Sequence, residues 1–161
     1  GNTSIPSTTT FTLDTAAPTA PTLTLGTGVS GGTTSAEATQ TSGVVTLNAE
    51  SGSSVLVTFT DGTNTVTKTI TGTGAAQAVT LTSADLGTGT GQLKDGNITV
   101  SAVATDAAGN VGTSGTTSFT LDTSAPATPT LNLVANVSDG ASKVEATQSS
   151  GVVTFTAEAG S

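Results

Sequence analysis

The feature that most constrains this chain is that it repeats itself at a fixed offset of 108 residues. Phe11 to Thr15 reads FTLDT, and Phe119 to Thr123 reads the same. The stretch EATQTSGVVTLNAESGS, from Glu37 to Ser53, returns as EATQSSGVVTFTAEAGS, from Glu145 to Ser161. Residues 1–53 laid over 109–161 agree at 31 positions without a gap. A period of 108 exceeds that of most solenoids and equals the length of one independently folding domain. The phase then divides the chain into the last strand of a preceding unit (1–14), a complete unit (15–122) and the N-terminal part of the next (123–161).

Within the complete unit, apolar residues alternate with Thr or Ser at period two, the pattern of half-buried strands. The alternation predicts strands at Thr22–Leu25, Gly43–Asn48, Ser54–Thr60, Thr65–Thr71, Gln77–Thr82, Asn97–Thr105 and Thr116–Leu121, with a single helical turn at Ser83–Leu86. Turn dipeptides such as Asp61-Gly62, Asp95-Gly96 and Gly109-Asn110 punctuate them. Seven short strands at this spacing predict an all-β fold, an immunoglobulin-like β-sandwich in tandem repeats. Its core draws on inward positions such as Val45, Leu47, Val55, Val57, Ile98 and Val100, and all four Phe residues (11, 59, 119 and 155) fall at strand positions expected to be buried. The connectors LDTAAPTAP (Leu13–Pro21) and LDTSAPATP (Leu121–Pro129) each carry two prolines three apart, which favours an extended, stiff link.

Residue usage narrows the chemistry. The chain has no Cys, His, Arg, Trp or Tyr. The usual Cys and His ligands of zinc and copper, Cys/His nucleophile–base pairs and the usual sugar-stacking aromatics are therefore missing, and no enzyme is expected. Three lysines stand against eleven carboxylates, for a net charge of −8, so there is no basic footprint for nucleic acid. The apolar runs are too short for membrane insertion. Gly87-Thr-Gly-Thr-Gly91 lacks the Lys-Ser/Thr and helix of a phosphate loop, and the Thr-x-Thr runs read as solvated strand faces rather than an ice-binding surface. Asn97-Ile-Thr99 and Asn136-Val-Ser138 match the glycosylation sequon, a weak signal.

The carboxylates are more informative. If strands alternate in direction, the turn after the second strand (Ala49–Gly52), the turn before the last (Asp106–Asn110) and the incoming connector share one pole. Asp14, Glu50, Asp106 and Asn110 then converge there as an all-oxygen donor set of the kind that holds Ca²⁺. Asp122 and Glu158 take the equivalent places in the next unit. The plainer alternative is that these acids cap turns through Asx hydrogen bonds. At the opposite pole, Asp61, Asp85, Asp95 and Glu37 are adequately explained by turn chemistry. Asp139 has Gly31 as its counterpart and belongs to no repeated site.

The motifs FTLDT-x-AP-x-x-P, ATDAAGN (Ala104–Asn110) and GVVT-x-x-AE-x-GS resemble the bacterial Ig-like (BIg-type) tandem repeats of giant RTX, type I-secreted surface adhesins and biofilm-associated proteins. The resemblance spans the whole chain. It implies an extracellular location on the bacterial cell surface and a stalk role. Calcium at the junctions would stiffen that stalk through Asp14, Glu50 and Asp106, and through Asp122 and Glu158 at the next junction. Neighbouring repeats of the same chain would be the partners. A different reading makes the chain a subunit of a self-assembling extracellular filament, joined to other chains by edge-strand pairing, because both terminal segments expose pairing edges.

Overall fold

The computed structural model describes residues 1–134, 137 and 140–158. The second sequon and Asp139 lie wholly or partly outside the described residues. The fold is all-β. The chain forms two compact units, Gly1–Thr123 and Ser124–Ser161.

The first unit holds seven strands: β1 (Thr22–Leu25), β2 (Val45–Asn48), β3 (Ser54–Thr60), β4 (Thr65–Thr71), β5 (Gln77–Val79), β6 (Gly96–Thr105) and β7 (Gly115–Leu121). They pair antiparallel in two sheets, ordered β1-β2-β5 and β4-β3-β6-β7. Alternation in β3 places Val55, Val57 and Phe59 inward, opposite Ala104, Ala102 and Val100 of β6, and all six are fully buried. Leu47, Val45, Val79 and Leu81 from the three-stranded sheet and its flanking turn join them in one apolar cluster, against which Leu23, Leu25, Val66 and Ile70 pack half-buried. β4 is an edge strand, and Lys68 at its middle pairs with Asp85 at 2.7 Å. A charge at that position discourages edge-to-edge association.

Several expectations are corrected. The fifth strand stops at Val79 rather than Thr82, because the Leu81 N–H leaves the sheet to donate to Ala38 O at 3.2 Å. Ala38 ends a helical turn, α1 (Ser35–Ala38), which alternation did not foretell. Loops contribute Val29, Val44, Leu86 and Leu93 to the core, all buried. Residues 1–21 form no strand. Phe11 and Leu13 are accordingly 86% and 76% exposed, whereas their counterparts Phe119 and Leu121 are buried. A strand has nothing to gain from extension without a neighbour to receive its N–H and C=O groups.

The second unit consists of β8 (Thr130–Leu133), α2 (Lys143–Ala146) and β9 (Val153–Thr156). The register of β8 with β9, from Thr130↔Thr156 to Leu133↔Val153, is that of β1 with β2 displaced by the sequence period at every pair. α2 repeats the capping box of α1, with Ser142 and Glu145 replacing Thr34 and Glu37. Leu131, Leu133 and Phe155, whose counterparts Leu23, Leu25 and Leu47 pack in or against the core of the first unit, are exposed. Phe155 is thus not a core residue here.

Candidate functional site at the connector

Two turns and one extended segment meet at one end of the first unit. The β6–β7 turn is closed by Asp106, whose Oδ1 accepts the Asn110 N–H at 2.9 Å and whose Oδ2 accepts the Asn110 carboxamide at 2.8 Å. These bonds stabilise the anion. The Asn110 side chain, opposed by slight desolvation and aided by the N–H groups of Asn110, Ala108 and Gly109, holds the Asp106 carboxyl below its ordinary range. Asn110 also reaches the connector, its carboxamide nitrogen donating to Asp14 O at 3.2 Å and Ala16 O at 3.4 Å. Further along, Glu50 in the β2–β3 turn accepts the Thr19 N–H at 3.4 Å.

The topological argument therefore brings the right elements to one pole, but it does not gather the carboxylates. Asp14 turns back on its own segment and accepts the Ala16 N–H at 3.0 Å, an Asx arrangement. Asp106 encloses Asn110, and Glu50 reaches Thr19. Among the described residues, no three acidic, His or Cys side chains form a metal-holding group. Each carboxylate takes the nearest backbone N–H instead of facing another anion. What does converge, on the Asn110 carboxamide, is one carboxylate and two connector carbonyls. In the second unit, Glu158 accepts the Ala127 N–H at 2.8 Å, the Glu50–Thr19 contact one period later. Asp122 follows β7, with its backbone N–H on Thr33 O at 2.9 Å.

Beyond these polar contacts, Pro18 and Pro21 are both buried. Their carbonyl oxygens lie against Gly112 and Gly115, where a Cβ would fall within 3.0 Å of backbone oxygen. Sequence reasoning missed these two glycines. A signal existed, in that Pro-x-x-Pro at 18–21 meets Gly-x-x-Gly at 112–115 with the same spacing and in the same chain direction.

At the other pole the acids serve local structure. Asp61 accepts N–H groups from Thr63 at 2.7 Å, Asn64 at 2.6 Å and Lys94 at 3.0 Å, plus the Asn64 carboxamide at 3.0 Å. Led by the Asn64 side chain, these donors hold its carboxyl far below the usual range. A lowered native pKa stabilises the fold at every pH above the ordinary Asp value of about 3.9, and that contribution disappears as pH falls through the native value. Asp61→Asn should therefore cost about 1 kcal/mol at pH 7, the part-exposed site being screened by solvent. In urea denaturation, the gap from the unmodified protein should narrow at pH 2. A gap of equal size at both pH values would contradict this. Asp95 accepts the Thr123 N–H and hydroxyl at 2.9 and 2.7 Å, and Glu37 completes the α1 capping box.

No protein-family model, curated protein or solved structure matches this chain.

Proposed function

We propose that this chain is a structural extender, a stalk segment of a bacterial cell-surface adhesin or biofilm protein built from tandem immunoglobulin-like β-sandwich repeats. The strand orders β1-β2-β5 and β4-β3-β6-β7 around one core support the sandwich reading. The observation that carries the functional reading is the held connector. A segment of two prolines, both buried, is fastened to the unit that follows it by Glu50 and Asn110, and the glutamate contact recurs one period later. A connector fixed along its length restricts bending, which is what an extender requires.

Calcium enters this proposal as a reinforcement. The oxygens around the Asn110 carboxamide N–H groups are the donors a hard divalent cation takes, and a cation there would displace that amide and be held by the Asp106 carboxylate and the carbonyls of Asp14 and Ala16. Its chemistry would be charge neutralisation and a cross-link between the β6–β7 turn and the connector. With one carboxylate at the centre, binding belongs to the weak extracellular regime, with Kd on the order of 10⁻⁴–10⁻³ M. At 10 mM calcium that predicts stabilisation of about 1.4–2.7 kcal/mol, seen as a rise of several degrees in Tm that EDTA abolishes. Sedimentation velocity should show an elongated particle. Unchanged Tm in calcium and chelator removes the ion from the proposal, and a compact particle removes the stalk.

Exposure of Phe11, Leu13, Leu131, Leu133 and Phe155 favours a second reading, assembly by strand exchange between chains. The same sedimentation run separates the two, since a concentration-independent monomer is incompatible with a filament subunit.

A further inference from the structure

Pro18 and Pro21 of the connector are both buried. The covering segment is 112–115. Gly115, the first residue of β7, sits so close to Pro21 O that no side chain fits, and a Cβ on Gly112 would lie 2.5 Å from Pro18 O. Neither glycine has a positive φ, so the backbone conformation does not call for glycine at either place. The neighbours of the absent Cβ atoms are backbone carbonyls, which cannot swing aside as a flexible side chain would. Space for the connector is what remains to explain both residues.

The other copy of this segment, Thr3–Ser7 against Val111–Gly115, differs at all five residues, these two positions among them. Ser4 and Ser7 stand where the complete unit has Gly112 and Gly115, although the flanking Gly1-Asn2 and Phe11–Thr15 are identical to Gly109-Asn110 and Phe119–Thr123. We infer that Gly112 and Gly115 are positioning residues that set how closely a connector docks on its unit, and that repeats of this protein differ in junction stiffness through Gly/Ser exchange there. A unit with serine at both positions cannot accept its connector at the distance seen here. Glu50 and Asn110 would have to hold it from further out or release it. This rests on the stalk proposal for its meaning, but the docking itself is measured separately.

The experiment installs the other copy's residues in the complete unit: Gly112→Ser, Gly115→Ser and, as a control for chemistry against space, Gly115→Ala, each in the full 161-residue chain. Amide hydrogen exchange reads residues 14–22 against amides of β3 and β6. The inference expects exchange at Thr19 to quicken about tenfold or more in Gly115→Ser and Gly115→Ala alike, less in Gly112→Ser, with β3 and β6 still protected. Connector exchange unchanged in all three variants overturns it, as does an effect confined to serine, which would implicate the hydroxyl rather than the space. Should Gly115→Ser unfold the unit, Gly112→Ser decides, because its closest approach is the milder one. A compact particle would sink the stalk proposal while leaving these exchange results standing.

Discussion

Phe59→Ala is expected to destabilise the first unit by about 3–5 kcal/mol, among the largest effects a single side chain can have in it. Phe59 is fully buried, and the other inward positions of β3 and β6 carry Val, Ala and one Ile: Val55, Val57, Ile98, Val100, Ala102 and Ala104 are all fully buried as well. Small β-branched and alanine side chains have little reach with which to collapse into a phenyl-sized void, so most of the cavity persists. Of the four Phe residues in the chain, Phe11 and Phe155 are exposed, leaving Phe59 and Phe119 to fill the interior. Domains of this size are stable by only about 5–15 kcal/mol, so the loss ranges from about a fifth to the whole of the total. Urea unfolding followed by far-UV circular dichroism should show a markedly lower midpoint at an unchanged m-value. A loss under about 1 kcal/mol would mean that Phe59 does not occupy the centre of the core.

How much of this architecture was legible in the sequence follows from which physical signal each part leaves. β1 and β4 were readable to the residue because Thr takes every second position, and β3 was readable although Leu56 breaks the alternation on its solvated face. α1 was not, since four residues make barely one turn and cannot display a 3.6-residue period. Its signal was the capping pair Thr34 and Glu37, echoed by Ser142 and Glu145. The loop-borne core residues escaped for a related reason. Val44 and Val45 are adjacent and both fully buried, which period two forbids within a strand and which the turn at Gly43 permits. At the site, strand direction put Asp14, Glu50 and Asp106 at one pole, and the Glu50 and Asn110 contacts with the connector agree with that placement. Direction says nothing of where a carboxylate points. An Asp two residues before a free N–H satisfies that N–H first, as Asp14 does with Ala16, so the local bond prevails over a distant cluster.

Gly43→Ala should cost about 2–4 kcal/mol, and comparison with Gly151→Ala separates the two causes. Both glycines precede the second strand of their units and both have positive φ, 91° and 76°. Adopting that conformation costs an L-residue on the order of 1–2 kcal/mol at either place. Only Gly43 carries a second penalty. A Cβ there would stand 2.6 Å from Val45 O, 2.9 Å from Val79 N and 3.1 Å from Ala78 Cα, against backbone of β2 and β5. Relief would need β5 to move off β2, and the Val44 N–H to Val79 O bond at 2.9 Å lies in the same place. Crowding of that kind adds roughly 1–3 kcal/mol. At Gly151 the nearest atom to such a Cβ, Val153 O, is at an ordinary 3.6 Å, so the conformational cost stands alone. The midpoint displacement of Gly43→Ala in the first unit's denaturation transition should therefore be about twice that of Gly151→Ala in the second unit's own transition. Equal displacements would show that φ alone reserves both positions for glycine, and that β5 yields to a methyl group more readily than its backbone contacts imply.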